Sequence, residues 1–125
     1  MPQIEGFVLD LTGAQVRRTS LSHANLSGAI LSRADLTGAN LQEANLKGAI
    51  LAGTILRGAD LKGANLRGAI LDGAVLDGAT LEGTVLDGAI LRGADLTGVT
   101  GLTRNQLAKA ITDASTILPK ELQSA

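Results

Sequence analysis

Few side chains in this sequence could do chemistry. His23 is the single histidine and there is no cysteine, so a metal site or a nucleophile would depend on one imidazole and on carboxylates. A histidine beside a carboxylate can act as a general base or bind a metal, but both tasks need a pocket and a further partner. The 16 glycines form neither the G-x-G-x-x-G nor the P-loop pattern that binds phosphates. The sequence therefore predicts no catalytic, cofactor-binding or metal-binding residue.

The bulk composition argues against several other classes of protein. Phe7 is the one aromatic residue among 125, whereas a conventional core of this length buries several aromatics. The net charge of −1 lacks the basic excess of a nucleic-acid binder, and it also lacks the acidic excess of a protein that imitates DNA. We find no run of about 18 apolar residues and no signal peptide, so we expect a cytoplasmic protein without a membrane span.

A five-residue repeat organises the chain from Leu9 to Gly98. The central position of each pentad, from Leu11 to Leu96, is leucine in 17 of 18 cases. Alanine stands two residues earlier in 14 pentads, and glycine stands two residues later in 14. A helix needs a period near 3.6, and each internal glycine would cost it about 1 kcal/mol. A short extended segment with Ala and Leu facing inward, followed by a turn whose third residue has positive φ, explains the pattern instead.

The motif A-(D/N)-L-x-G resembles the pentapeptide-repeat family, as at residues 34–38 and 59–63. The resemblance implies an all-β solenoid, a right-handed quadrilateral β-helix with four pentads, or about 20 residues, in each coil. We expect an N-terminal cap segment at 1–8, the β-helix of about 4.5 coils at 9–98, and a C-terminal α-helical cap and tail at 99–125. A tolerated threonine at an alanine position should bond a backbone carbonyl through its hydroxyl.

One outward-facing column is apolar where the family typically has Asp or Asn. With four pentads per coil, residues n and n+20 become neighbours, and the residue before each central Leu points outward. The column contains Ile30, Ile50, Ile70 and Ile90, and it is widened on the next face by Ile55 and Val75. A contiguous exposed apolar strip favours an interface. A ladder of β-branched side chains and cover by a terminal segment are the alternatives.

The polar columns have structural interpretations. Asn25, Asn45 and Asn65 predict stacked amides that bond along the ladder. His23 and Glu43 are expected to form a surface pair rather than a catalytic one, because a convex rod offers no pocket.

Charges in the turns predict ion pairs between adjacent coils, each worth about 0.2–1 kcal/mol and useful mainly for register. The expected pairs are Arg57–Asp77, Lys62–Glu82 and Arg67–Asp87.

Both ends of an open β-helix expose core and strand edges, so we expect covers there. Thr103 and Gln106 should form a capping box that starts a helix ending near Ala114. The helix side chains expected to face the last coil are Leu107, Ala110 and Ile111. Ile4 and Phe7 should plug the N-terminal coil.

These features favour a non-catalytic structural or protein-interaction scaffold that docks a protein partner, or itself, through the isoleucine strip. In this it is similar to many family members, notably cyanobacterial ones, that have no assigned biochemical role. The alternative is a DNA-mimicking, topoisomerase-binding protein like the quinolone-resistance members. Those are strongly acidic, longer and often have central phenylalanines, and this chain departs on all three counts. We expect no enzyme activity, cofactor, small-molecule substrate or nucleic-acid partner.

Overall fold

A stack of coils runs through residues 7–123, the part of the chain that the computed structural model describes. Parallel bridges join each outward-facing residue to one 20 positions along, from Asp10–Ile30 to Thr80–Thr100. Each side of a coil contributes a single bridging residue, so the sheets are ladders of isolated bridges without longer strands. Four pentads therefore complete one coil, as the resemblance implied.

The same turn closes each pentad. In the pentad around Leu61, the amide of Ala64 donates to the Leu61 carbonyl at 2.9 Å. The glycine before that amide has φ between 65° and 71° throughout the repeat. Four non-glycine residues adopt φ between 55° and 62° at the same position: Arg18, His23, Arg33 and Glu43. Coil geometry thus overrides a preference that disfavours left-handed backbone by about 1–2 kcal/mol per residue.

Columns of leucine and alanine form the interior. The central leucines from Leu31 to Leu96 are at most 2% exposed. Thr54 and Thr84 occupy alanine positions, and their hydroxyls donate to backbone carbonyls at 2.6 Å and 2.7 Å, which confirms the expectation for these two threonines. The buried side chains leave no polar side-chain atom without a partner among the described residues.

A short helix, α1, spans Arg104–Ala108 and occupies the fourth side of the last coil. The predicted capping box is present, because Thr103 accepts from the Gln106 amide and the Gln106 side chain accepts from the Thr103 amide. The Gln106 side-chain amide also donates to the carbonyls of Leu81 and Thr84, at 2.8 Å and 2.9 Å. One residue thus starts the helix and ties it to the coil below.

The helix is shorter than predicted. It ends at Ala108 instead of near Ala114, because the chain then returns to the coil and Ile111 bridges to Ile90. Ile111 consequently points outward with 43% of its surface exposed, so its expected contact with the core was wrong. Leu107 and Ala110 do pack against the core, as predicted.

The C-terminal segment continues along the next face. Ile117 bridges to Asp95, and a 3-10 turn at Lys120–Leu122 follows. Leu102 and Leu118 pack against the core above the last coil. No helix between residues 7 and 123 is long and apolar enough to cross a bilayer.

The N-terminal coil differs from the expectation. Phe7 is 75% exposed, so it does not plug the interior, and Ile4 lies outside the described residues. Leu11, Val16 and Leu21 are only partly buried although they occupy core positions. Each of them packs against one neighbouring coil, whereas leucines further along pack between two.

Core substitutions should test the narrow interior directly. Leu61→Ala removes packing against both neighbouring coils and should lower the free energy of unfolding by about 2–5 kcal/mol. Ala64→Leu should be at least comparably destabilising, because the coil-to-coil hydrogen bonds prevent widening. Lys62→Ala, an exposed change in the same turn, is the control and should leave the thermal melt unchanged. An Ala64→Leu variant that melts like the parent would contradict a tightly packed interior.

Candidate functional site

The one candidate for acid–base chemistry does not form. The Glu43 carboxylate lies over Gly63 on the following coil, where an added Cβ would overlap it. It therefore points away from His23, which sits on the preceding coil, and the predicted surface pair is wrong. Among residues 7–123 no group of three or more His, Asp or Glu side chains could hold a metal ion.

The isoleucine column is the candidate site that agrees with the structure. It consists of Ile30, Ile50, Ile70, Ile90 and, one rung further, Ile111. Sequence reasoning missed Ile111 because the chain leaves the five-residue period at Gly101, and the last rung is 21 residues from Ile90. The sequence feature that could have identified it is an isoleucine one residue beyond position 110, which lies 20 residues after Ile90.

The column faces solvent along the rod. Its first four side chains are partly exposed, each shielded by the rungs above and below, while the leucine after each isoleucine is at most 1% exposed. Ile55 and Val75 are also partly exposed and bridge to each other on the next face. Between these faces the middle coil turns through Ala52 and Gly53, so the apolar surface continues around that corner.

In the polar columns, outward-facing asparagine and aspartate cap their own turns. Asn45 accepts a hydrogen bond from the Lys47 amide at 3.1 Å, and Asn65 accepts one from the Arg67 amide at 3.0 Å. Asn25 does the same with Ser27. The predicted bonding of amides along the asparagine ladder is wrong, because each side-chain oxygen is directed at a backbone amide two residues later. This local bond is the usual reason for Asn or Asp in a turn.

Isoleucine cannot make this bond. After Ile30, Ile50, Ile70 and Ile90 the described chain therefore supplies no side-chain cap to the turn, although the backbone hydrogen bonds match those of the other columns. After Ile111 the Asp113 amide donates instead to the Thr116 hydroxyl at 3.1 Å. The amide of Ala52, which follows Ile50 by two residues, donates no hydrogen bond to a side-chain oxygen in the described chain. Isoleucine in place of Asn or Asp thus removes the side-chain cap of the turn and leaves apolar surface in contact with water.

Carboxylate caps are stronger where a threonine follows two residues later. Asp10, Asp35 and Asp95 each accept the threonine hydroxyl at 2.6 Å and its amide at 3.0 Å. The hydroxyl bond is the main cause that lowers the pKa of these carboxyl groups below its ordinary value, and the amide bond adds to it. The Ser115 hydroxyl lowers the pKa of Asp113 in the same way.

Two of the three predicted ion pairs between coils are present. Their contacts are Arg57 Nε–Asp77 Oδ2 at 3.0 Å and Arg67 Nη2–Asp87 Oδ2 at 3.9 Å. Lys62 and Glu82 lie in the described chain and form no ion pair, so that prediction is wrong. Sequence reasoning missed Arg17–Asp35, at 3.7 Å, because it joins residues 18 rather than 20 positions apart. All three pairs are substantially exposed on the arginine side and contribute little stability.

The chain belongs to the pentapeptide-repeat family. The family model described as pentapeptide repeats matches with 8 copies over residues 10–48, 39–78 and 71–100. Membership implies a right-handed β-helix. No match was found among curated proteins.

Solved structures of two cyanobacterial pentapeptide repeat proteins are similar to this chain. Rfr23 from Cyanothece 51142 is 32% identical over 89% of each chain, with a TM-score of 0.79. The protein alr5209 from Nostoc Pcc 7120 is 33% identical over 87% of this chain and 84% of its own, with a TM-score of 0.65. QnrB1, a plasmid-mediated fluoroquinolone resistance protein, shares the fold at 22% identity, covering 90% of this chain and 61% of its own, with a TM-score of 0.60.

The turn caps predict how stability depends on pH. Because the pKa of Asp35 is lowered in the folded state, its stabilising effect is complete above the pKa of the unfolded chain, about 3.9. It is lost as the pH falls through the folded value. Asp35→Asn keeps an oxygen for the Thr37 amide but removes the charge, so the Tm should fall at about pH 7. The further loss of Tm on acidification to about pH 3 should be smaller than in the parent.

Glu82→Gln is the matched control, because the Glu82 carboxylate accepts no hydrogen bond in residues 7–123. Melts of all three proteins at both pH values provide the measurement. An Asp35→Asn protein with the same acid-induced loss as the parent would show that this cap does not contribute.

Proposed function

We propose that this protein is a non-catalytic interaction scaffold whose contact surface is the isoleucine column together with Ile55 and Val75. The rod positions this surface and makes it rigid, since each rung is fixed by backbone bonds to its neighbours. A partner would gain about 25 cal/mol for each Å² of apolar surface that it removes from water.

The absent turn caps are the observation that carries this proposal. Asn and Asp at the same position in the other columns bond their own turns, as Asn45 and Asp60 do. Isoleucine in successive rungs of one face gives up this bond repeatedly and leaves apolar side chains partly in water. A purely structural role would favour the capping residues on this face as on the others.

The topoisomerase-binding alternative has no specific observation in its favour. The likeness to QnrB1, at 22% identity, concerns the fold. A net charge of −1 does not supply the field that an imitation of DNA needs.

We also propose that residues 99–123 close the C-terminal end of the solenoid. Leu102, Leu107, Ala110 and Leu118 contact the core there, and the Gln106 side chain binds carbonyls of the last complete coil. The closure would leave the isoleucine column as the main lateral apolar surface.

The double variant Ile50→Asn/Ile70→Asn tests the proposed contact surface. Each asparagine can accept the amide two residues later, as Asn45 and Asn65 do, so the thermal melt should stay nearly unchanged. Self-association in sedimentation velocity, or capture of a protein partner by the immobilised chain, should be abolished. The loss follows from replacing apolar side chains at the centre of the strip.

A matched control changes the opposite face. Ser20→Asn/Thr80→Asn alters two rungs there without removing a turn cap, and it should leave both the melt and the association unchanged. If Ile50→Asn/Ile70→Asn instead lowers the Tm and leaves the oligomeric state as it was, the column is a structural ladder and the proposal is wrong.

A further inference from the structure

Charged side chains stand at both edges of the isoleucine column, in the turns before and after each rung. Bonds between coils place these turns one above another, as in Gly68 N–Asp87 O and Gly73 N–Arg92 O, both 2.9 Å. The upstream edge contains Lys47, Arg67, Asp87 and Lys109. The downstream edge contains Ala52, Asp72, Arg92 and Asp113.

The two edges have opposite charges at the three rungs of Ile70, Ile90 and Ile111. Arg67 and Asp72 flank Ile70, and Asp87 and Arg92 flank Ile90. The last rung repeats the pattern, with Lys109 before Ile111 and Asp113 after it. The middle rung has Lys47 on one side and Ala52 on the other, where the Arg33 side chain lies over the adjacent Gly53. The two charges of a rung lie across the face from each other, and no ion pair of the described chain joins the two charges of one rung.

The charges beside Ile70 and Ile90 are available to a partner, whereas the Asp113 Oδ1 atom already accepts from Gly93 and Ser115. Asp72 and Arg92 form no side-chain hydrogen bond or ion pair with any residue in 7–123. Arg67 contacts Asp87 only at 3.9 Å, and their side chains are 58% and 43% exposed. Such an exposed pair holds its side chains weakly, so both can contact a facing surface as well.

Building on the proposed contact surface, we propose that its partner is a second copy of this chain, packed side by side in parallel. The two-fold axis runs along the rods, so each isoleucine meets its own counterpart. This symmetry brings the upstream edge of one copy against the downstream edge of the other. Arg67 then faces Asp72 of the other copy, Asp87 faces Arg92, and Lys109 faces Asp113.

The antiparallel arrangement is electrostatically worse. Its two-fold axis crosses the rods, so each edge meets the same edge of the other copy with the order of rungs reversed. Centred on Ile70, that arrangement sets Arg67 against Arg67 and Asp72 against Asp72. Centred between Ile70 and Ile90, it pairs Arg67 with Asp87 and Asp72 with Arg92, but it sets Lys47 against Lys109. The parallel dimer pairs opposite edge charges at all three of the Ile70, Ile90 and Ile111 rungs, and like charges placed opposite each other select against an arrangement.

The contact is small, so the dimer should be weak. Five rungs about 4.8 Å apart give a strip roughly 20 Å long, with facing sheets about 10 Å apart. An interface of this size falls below the ~1,200–2,000 Å² of stable complexes. Arginine and aspartate side chains can meet across that gap at the edges. Weak dimers of this kind form at high protein concentration, and their orientation depends strongly on charge.

Disulfide trapping distinguishes the two orientations, because the chain has no native cysteine. An Ile30→Cys variant should cross-link to itself in the parallel dimer, and so should an Ile90→Cys variant. A mixture of the two should give few mixed cross-links. The control is Asn40→Cys on the opposite face, which measures cross-linking by random collision. Self-linking of Ile30→Cys no greater than that of Asn40→Cys, or a predominance of mixed links, overturns the proposal.

Charge reversal provides an independent test. Arg67→Glu and Asp72→Arg should each weaken self-association about tenfold, because each sets like charges opposite each other in both halves of the dimer. An equimolar mixture of the two variants restores opposite charges and should associate like the parent in sedimentation equilibrium. A mixture that associates no better than the separate variants overturns the proposal.

Failure of this inference can be told from failure of the proposed contact surface. If Ile50→Asn/Ile70→Asn abolishes association but Ile30→Cys and Ile90→Cys link to each other, the surface is an interface and the parallel orientation is wrong. If the isoleucine variant associates like the parent, the contact surface itself is wrong.

Discussion

Hydrogen bonds between successive coils determine most of this structure. The backbone amide of each outward-facing residue donates to a carbonyl of the preceding coil, and the amide of the next residue donates to a carbonyl of the following coil. Ile50 N–Ala29 O and Leu51 N–Ile70 O are examples. These bonds fix every residue beneath the one about 20 positions later. Buried leucines and alanines fill the interior of the regular coils, where every bridge joins residues 20 positions apart. Only the last coil, which contains α1, accommodates extra residues, and it still bridges Ile90 to Ile111. The tolerance of arginine and glutamate at positive φ shows how strongly the coil dictates the backbone.

Two periods in the sequence carry different information. The period of five specifies the turn and the buried leucine, so it predicts a coil of short extended segments, while the number of pentads per coil came from the family resemblance. The 20-residue spacing determines which side chains each face exposes to solvent, and the isoleucine column is recognised only when residues 20 positions apart are compared. Asparagine and aspartate cap their turns on the other faces, so the apolar face is a departure that backbone geometry does not require. The fold and the apolar face are therefore specified separately in one chain.

The solenoid followed from the repeated pentad, the 20-residue coil from the resemblance to the pentapeptide-repeat family, and the capping box from the spacing of Thr103 and Gln106. Sequence reasoning failed where a side chain had alternatives within reach. Glu43 lies over a glycine of the next coil instead of pairing with His23, and the asparagines bond their own turns instead of each other. It also missed Ile111, since a five-residue helix inserts one residue before the last rung. The opposite charges at the two edges of the column became visible only once the turns were stacked.

A pair of deletions tests most directly whether the continuous isoleucine column is the contact surface. Removing residues 59–63 keeps every pentad intact but turns the later isoleucines onto the neighbouring face. Removing residues 44–63 takes out one whole coil and keeps the column aligned, with Ile70 above Ile30. We expect both proteins to melt cooperatively, and only the protein lacking the whole coil to self-associate in sedimentation equilibrium. Equal association of the two deletion proteins would contradict the account.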